Sequence, residues 1–380
     1  MIRFGTWSTI LALAAGFGLL VSVLLLATRR NRVANRLLAA LLFVAVLRLV
    51  PYAIGFAGFY DAYPWLSFAP FDLGLAIGPL LYFYLRRLAT PKLPPRWGWH
   101  FVPAAIDLAY MLWAFSLPLP AKSLWNDTIH VRFIAPLEAG AGILSVAIYL
   151  IATIRFRRRY QRWLADHVSD REDHRQPWIG TILAASALWL FVTIGFDAYD
   201  WFAVPLSYQN RFPQYLIFAA LVLWLGLEGW RYAGHLFPQM VARKAPVDPD
   251  VRDWGASARI WAERIRQEGW WREPGLTVGD VARRLATNES YVSRAFNEGL
   301  GQNFNAVINR LRVEDVKAGL ADRDAEILTL ALDAGFSSKA SFNRAFRAHT
   351  GVSPSVWRTA HILKIPGNPP SGTTPDEAEA

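Results

Sequence analysis

Arg294, Lys339 and Arg344 are the side chains of this 380-residue chain whose chemistry and spacing constrain it most. They lie in two stretches that nearly repeat. The first reads V-A-R-R-L-A-T-N-E-S-Y-V-S-R-A-F from Val281 to Phe296, and the second L-A-L-D-A-G-F-S-S-K-A-S-F-N-R-A-F from Leu330 to Phe346. The triplets Arg294-Ala295-Phe296 and Arg344-Ala345-Phe346 are identical and stand 50 positions apart (344 − 294), with Gly301 and Gly351 following at the same offset. Such a period marks a duplicated supersecondary unit. A guanidinium can grip guanine through two parallel hydrogen bonds, while Ser and Asn reach other base edges. Cations fixed at matching places on repeated elements therefore suit a nucleic-acid duplex.

Each copy needs two short helices to hold those side chains outward. In the first, Thr277 can cap a helix whose apolar positions Val278, Val281 and Leu285 recur at three and four residues. A polar break at Thr287-Asn288 follows. The next helix turns Tyr291, Val292, Ala295 and Phe296 to one face and Ser290, Ser293, Arg294 and Asn297 elsewhere. In the second copy Ile327, Leu330, Ala331 and Ala334 line the first helix, Gly335 sits where a turn asks for positive φ, and Phe342, Ala345 and Phe346 anchor the second helix. Phe304, Val307, Ile308 and Leu311 recur at i, i+3, i+4 and i+7, so a longer helix joins the copies. This is the arrangement by which helix-turn-helix proteins set a recognition helix into the major groove, and two fixed copies reach successive grooves roughly 34 Å apart.

The span from about Ala256 to Ala360 resembles the DNA-binding domain of the arabinose-regulator (AraC) family of bacterial transcription regulators. Its most specific part is G-F-S-S-K-A-S-F-N-R-A-F-R-A-H-T-G-V-S-P-S-V-W-R, from Gly335 to Arg358. The resemblance implies two helix-turn-helix units joined by a long helix. It places base-reading positions on Ser290, Ser293 and Arg294 in the first unit and on Lys339, Ala340, Ser341, Asn343 and Arg344 in the second. One departure is Ala286 in the first turn, where family members often carry Gly. From residue type alone, Arg283, Arg284, Arg310, Arg312, Arg347 and Arg358 are expected to meet phosphates.

The rest of the chain has another character. Hydrophobic residues make up 53% and charged ones 18%, with 17 Trp and 23 Phe, and nearly every long apolar run precedes Trp230. Trp7 to Thr28 is 22 residues without a charge, enough to cross a hydrocarbon layer of about 30 Å. Further runs centre on Leu37–Phe59, Trp65–Leu85, Trp99–Leu117, Phe133–Ile154, Trp178–Phe196 and Phe212–Trp230, giving seven expected spans with Trp and Tyr at their ends. The loops after the first, third and fifth spans hold fifteen Lys and Arg, against Lys122, Arg132 and Arg211 in the alternate loops. Positive loops stay in the cytoplasm. The expected location is thus the bacterial inner membrane, with the amino terminus outside and everything after Trp230 inside. The net charge of +10 mostly reflects this bias. Residues 1–230 carry 20 Lys and Arg against 12 Asp and Glu, and residues 231–380 carry 20 against 18.

Arg48, Asp72, Asp107, Glu138, Asp197 and Glu228 lie within or beside the apolar runs, where ionisable groups pair or serve a function. Arg48 is the deepest, with Asp72 or Glu138 as its expected partner, either as a structural ion pair or as part of a ligand or proton site. Zero cysteines exclude disulfides and thiolate metal sites. The histidines are scattered apart from a charged cluster around His167 and His174. No H-E-x-x-H, G-x-S-x-G or phosphate-loop pattern proposes catalysis, and no cofactor is called for.

The expected fold class is therefore all-α. A seven-span bundle at 1–230 leads through a linker at 231–253 to a double helix-turn-helix domain at 254–362, followed by a disordered tail at 363–380. Trp254, Ala258, Trp261 and Ile265 form either the first helix of that domain or a homodimer contact. The expected partners are double-stranded DNA and membrane lipid, with a small-molecule ligand if the bundle senses. Two alternatives are a passive membrane tether and a transporter or intramembrane enzyme fused to a regulator.

Overall fold

A computed structural model describes residues 2–167, 177–204, 206–235, 237–240, 253–320 and 325–362. Regular structure among the described residues is helical throughout, with no strand. The tail expected at 363–380 and the 241–252 part of the linker lie outside the described residues, as does most of the charged cluster around His174. The chain divides into two compact units, Met1–Tyr160 with Gln176–Val241, and Gln161–Arg175 with Ala242–Ala380.

The first unit is carried by α1 (Thr6–Ala27), α2 (Arg32–Phe56), α3 (Ile77–Ala89), α4 (Val102–Ser116), α5 (Ala135–His167), α6 (Pro177–Phe202) and α7 (Phe212–Tyr232). Small residues let α1, α2 and α7 approach closely. A Cβ on Gly18 would stand 2.6 Å from Val46 and 2.9 Å from Val222, and one on Gly229 only 2.5 Å from Leu38. Polar side chains then tie neighbouring backbones together. Ser22 donates to the Ala39 carbonyl at 2.8 Å and Asn35 to the Ala233 carbonyl at 3.0 Å. Small-residue contacts and such hydrogen bonds are what hold apolar helices together where no water drives them to associate.

Among the described residues, five helices are long and apolar enough to cross a membrane: Thr6–Ala27, Arg32–Phe56, Leu119–Leu164, Ile179–Phe202 and Gln209–Tyr232. The other two runs expected from the sequence are shorter as helices. Between Trp65 and Leu85 the α-helix begins only at Ile77, after 3-10 turns at Pro64–Leu66 and Gly74–Ala76, and α3 has 13 residues. The run from Trp99 opens with the 3-10 turn Trp97–Phe101, leaving 15 residues for α4. Proline and glycine set these breaks, and a hydropathy sum does not register them.

After α7 the chain folds back onto its own unit. Asn31 donates to the His235 carbonyl at 2.6 Å, the Tyr160 hydroxyl to the Pro238 carbonyl at 2.7 Å, and the Met240 N–H to the Ala89 carbonyl at 2.7 Å. The linker expected from Arg231 therefore begins with ten residues whose described part is packed, not free. The same bonds gather the residues following α1 and α3, and Tyr160 within α5, at one end of the unit. At the far end of α2, 25 residues away, the Arg3 N–H bonds to the Ala57 carbonyl at 3.0 Å. Within the unit Arg48 lies 3.0 Å from both oxygens of Asp72. Asp72, not Glu138, is its partner.

The second unit comprises α8 (Trp254–Gln267), α9 (Val278–Arg284), α10 (Glu289–Arg294), α11 (Phe304–Gly319), α12 (Ile327–Asp333), α13 (Lys339–Thr350) and α14 (Pro354–Ile362). Side chains start these helices by accepting orphan N–H groups. Asp253 caps α8, Thr277 forms a reciprocal box with Asp280 at α9, and Asn288, Asn303 and Ser338 cap α10, α11 and α13. A single core closes behind them. Phe296 stacks on Phe304, while Phe342 contacts Phe336 and Phe346 edge to face, and all five rings are buried. Each such burial contributes on the order of 1.5–3 kcal/mol. The Trp254–Gln267 helix buries Ala258 and Ile265 in this core, as a first helix of the domain would.

Candidate nucleic-acid interface

The two helix pairs are built alike but not identically. From α9 the chain turns through Leu285–Asn288 into α10, and from α12 through Ala334–Ser338 into α13. The capping residues Asn288 and Ser338 stand 50 apart (338 − 288), keeping the repeat's offset. Each turn holds one residue at positive φ: Ala286 at 51° and Gly335 at 87°. At Gly335 a Cβ would also meet the Arg272 carbonyl oxygen at 2.4 Å, so glycine is required there twice over. Ala286 is exposed and takes the strained conformation without such a clash.

On α13 the apolar residues Phe342 and Phe346 face the core, which turns Lys339, Ala340, Asn343, Arg344 and Arg347 outward, all five exposed. Lys339, Asn343, Arg344 and Arg347 border a cleft of about 940 Å³ that also takes in Ser353, Ser355 and Arg358, with Glu326 as its acidic lining residue. Two tethers hold α13 in register. Ser338 caps its first turn, and His349 in its last turn bonds to Glu314 of α11 at 2.7 Å. Burial works to raise the Glu314 pKa, but the hydrogen bonds from His349 and Lys317 outweigh it and hold the carboxyl below its usual range.

On α10, Arg294 is exposed but engaged. Its Nε lies 2.9 and 3.0 Å from the two oxygens of Glu298, and its guanidinium rests 5.1 Å from the Trp254 ring. Ser290 and Ser293 are half-buried, and Ser293 accepts from Asn297 at 3.3 Å. Arg283 pairs with Asp280 at 3.3 Å, and Arg284 with Glu273 at 2.6 Å while lying over Trp270.

The family described as "Helix-turn-helix domain" matches residues 281–360. Those residues form a helix-turn-helix domain. An uncharacterised HTH-type transcriptional regulator of Staphylococcus aureus (strain COL) is 36% identical over 83 residues, 22% of this chain and 11% of that protein. The melibiose operon regulatory protein of Escherichia coli (strain K12) is 34% identical over 86 residues, 23% of this chain and 28% of that protein. The chain thus spans between 11% and 28% of the length of these curated relatives. No solved structure matches it.

Two expected contacts of the helix-turn-helix domain fall inside it instead. Arg312 is fully buried, its Nε donating to the Trp271 carbonyl and its Nη2 to the Glu273 carbonyl, both at 2.7 Å, with the guanidinium 5.6 Å from the Phe336 ring. It pins the segment before α9 to α11 and does not face a phosphate. A signal for this was present, since Phe304, Ile308, Arg312 and Val316 recur every four residues on one buried stripe. Ser341 is the second. It is buried, and its hydroxyl donates to the Ser338 carbonyl at 2.9 Å within the capped first turn. The hold of Glu298 on Arg294 was also readable from their i, i+4 spacing, whereas the contact with Trp254 is tertiary and was not.

Proposed function

We propose that the chain is a membrane-embedded, sequence-specific DNA-binding regulator of transcription, acting by binding and not by catalysis. The observation that carries the DNA half is the α13 face. Lys339, Asn343, Arg344 and Arg347 stand exposed on a helix anchored by two buried phenylalanines, within the helix-turn-helix match. That is the geometry of a recognition helix, with Arg and Lys suited to guanine and Asn to adenine. The α9–α10 pair supplies a second, less cationic reading element through Ser290, Ser293 and Arg294. Both matched proteins are named as regulators, and this chain is read as one too.

The membrane half rests on where the apolar side chains point. Only 11% of the most apolar stretch of Leu119–Leu164 is buried within the unit, and 17% of that of Ile179–Phe202. Leu13, Leu137 and Phe191 are 69%, 71% and 75% exposed. Exposed apolar area on this scale marks a surface that is covered by something apolar, and runs of this length fit lipid. Seven crossings are favoured over five because Ala89 lies at the same end as Asn31 and Tyr160, as it would if α3 crossed back. Arg86, Arg87, Lys92 and Arg96 then join the other positive loops on the cytoplasmic side. A signal reaching the first unit would act by favouring one arrangement of its helices over another.

The test is duplex selection from genomic fragments on the full chain in lipid nanodiscs, followed by gel-shift titration at fixed salt. Arg344→Ala is expected to relax preference at one base position by about 1–3 kcal/mol. If Lys339→Ala and Arg344→Ala both leave duplex affinity and preference untouched, α13 is not the reading element. Recovery of the chain in the soluble fraction after cell lysis would end the membrane half independently.

A further inference from the structure

The first unit holds an open-mouthed cavity of about 280 Å³ that the DNA-binding role does not use. Four carboxylates, Asp72, Asp107, Glu138 and Asp197, line it with two guanidiniums, Arg48 and Arg211. The guanidiniums are already engaged. Arg48 lies against both oxygens of Asp72 at 3.0 Å, and Arg211 bridges Asp197 at 3.0 Å and Asp200 at 2.8 Å. Asp107 and Glu138 line the cavity too, and among the described residues neither forms an ion pair. Four carboxyls against two guanidiniums give the lining more acid than base, and one proton shared between Asp107 and Glu138 does not remove that surplus.

A second set of observations concerns unmet hydrogen bonds. Buried side-chain polar atoms normally have partners. Three that lack one line this same cavity: Arg48 Nε, Glu138 Oε1 and Thr193 Oγ1. They supply a donor, an acceptor and a hydroxyl that can act as either. Trp189, Tyr215 and Met111 provide apolar wall beside them. Surplus negative charge, a free carboxyl oxygen and aromatic faces together describe the complement of a cation with N–H donors and a carbon body.

We propose that this cavity is a binding site for a small organic ammonium, a primary amine with an aromatic or aliphatic body. Its N–H groups donate to Glu138 Oε1 and to the Asp107 carboxyl, and its body packs against Trp189 and Tyr215. A hydroxyl or other acceptor on the ligand meets Arg48 Nε. The inference rests on the membrane reading of the first unit and gives that unit a chemical input.

The test uses the full-length chain in lipid nanodiscs and radiolabelled phenethylamine as the probe, in equilibrium dialysis against empty nanodiscs. Saturable uptake of one probe per chain is expected, with at least a tenfold loss of affinity in the Asp107→Asn, Glu138→Gln double variant. Should that variant fail to assemble, Gly142→Leu adds bulk at a lining residue without touching a charge, and a Cβ there meets no neighbouring atom within 4 Å. It too should lose the probe tenfold. Equal uptake by all three chains, or no uptake above empty nanodiscs, overturns the proposal. Displacement by potassium chloride as readily as by unlabelled amine overturns it as well, in favour of an inorganic cation site. Duplex binding is followed on the same sample. A nanodisc-held chain that binds duplex but not the amine sinks this inference alone, whereas a chain that never enters the bilayer sinks the membrane reading with it.

Discussion

Arg312→Ala separates two opposed accounts of one residue. By residue type Arg312 belongs among the phosphate contacts, and its removal should weaken binding to all duplexes alike. By position it is a fully buried strut whose guanidinium satisfies the Trp271 and Glu273 carbonyls at 2.7 Å each. Truncation leaves both acceptors without that donor, at about 1–3 kcal/mol for each that stays dry. It also opens a void under Phe336, although removing the buried charge returns part of the loss. A net destabilisation of about 3–5 kcal/mol follows, in line with breaking a buried charged network by deleting one member. A domain of this size holds roughly 5–15 kcal/mol in all, and its midpoint should fall by about 15–30 °C. The assay is urea and thermal unfolding of residues 250–362 by far-ultraviolet circular dichroism, with gel shifts on the same preparations. Duplex affinity should fall only as far as the folded fraction falls, and the salt dependence of the folded fraction's binding should be unchanged. An unaltered unfolding midpoint together with a salt slope reduced by about one would refute the burial argument and restore Arg312 to the interface.

Four further outcomes test other parts of the structure. Ala286→Gly should stabilise the second unit by about 0.5–1 kcal/mol, since the exposed alanine sits at φ 51° and the relief exceeds the added chain entropy; Gly335→Ala should abolish folding or lower the urea midpoint sharply because its Cβ meets the Arg272 carbonyl. The Glu314 carboxyl is held below its ordinary value of 4.5, so its contribution is present above that pH and is lost as pH falls through the lower folded value. Urea midpoints between pH 3 and 6 should therefore fall more steeply on acidification in the native chain than in Glu314→Gln, and identical slopes would remove the tether from α13. Lys92→Cys, in a chain otherwise free of cysteine, should resist an impermeant maleimide applied to intact cells and react after permeabilisation.

The second unit was largely legible because its local signals agree with its fold. Thr277 is a good cap placed just before an apolar helical period and is the cap found, and Asn288 of the expected polar break caps α10. Phe296, Phe342 and Phe346 announced the buried faces, and turning them inward exposes Lys339, Asn343 and Arg344. What failed was inference from residue type against position. Arg312 lies on the Phe304–Ile308–Val316 stripe, but arginine is so rarely fully buried that charge overrode spacing. Ser341 was assigned to the outer face although it follows a capping serine by three residues, where a hydroxyl turns back to the backbone. In the first unit the apolar runs were plain, but hydropathy averages over Pro64, Pro70 and Gly74 and so could not see that α3 starts at Ile77. The pairing of Arg48 with Asp72 across 24 positions left Glu138 open for something else, and only coordinates reveal that.

Five long apolar helices and seven expected spans lead to the same side of the membrane, because dropping α3 and α4 removes one crossing in each direction. In the proposed orientation the second unit reaches the cytoplasm in either case, so the DNA-binding proposal does not depend on the count. What depends on it is the loop holding Arg86, Arg87, Lys92 and Arg96. With five crossings these four cations face outward, against the bias that places Arg29, Arg30, Arg32 and Arg36 inside. With seven they face inward, and the bond from the Met240 N–H to the Ala89 carbonyl joins residues on one side of the bilayer. Under five crossings Ala89 would have to reach Met240 from the outer surface, through a layer about 30 Å thick. The hydrogen bond and the charge bias therefore both favour the proposed seven crossings, for independent reasons. With its 3-10 turn included α4 is long enough, whereas Gly74–Ala89 is 16 residues and about 25 Å, so α3 needs flanking residues to complete a crossing. Trp97–Ser116 is 20 residues and spans about 30 Å at 1.5–2.0 Å per residue.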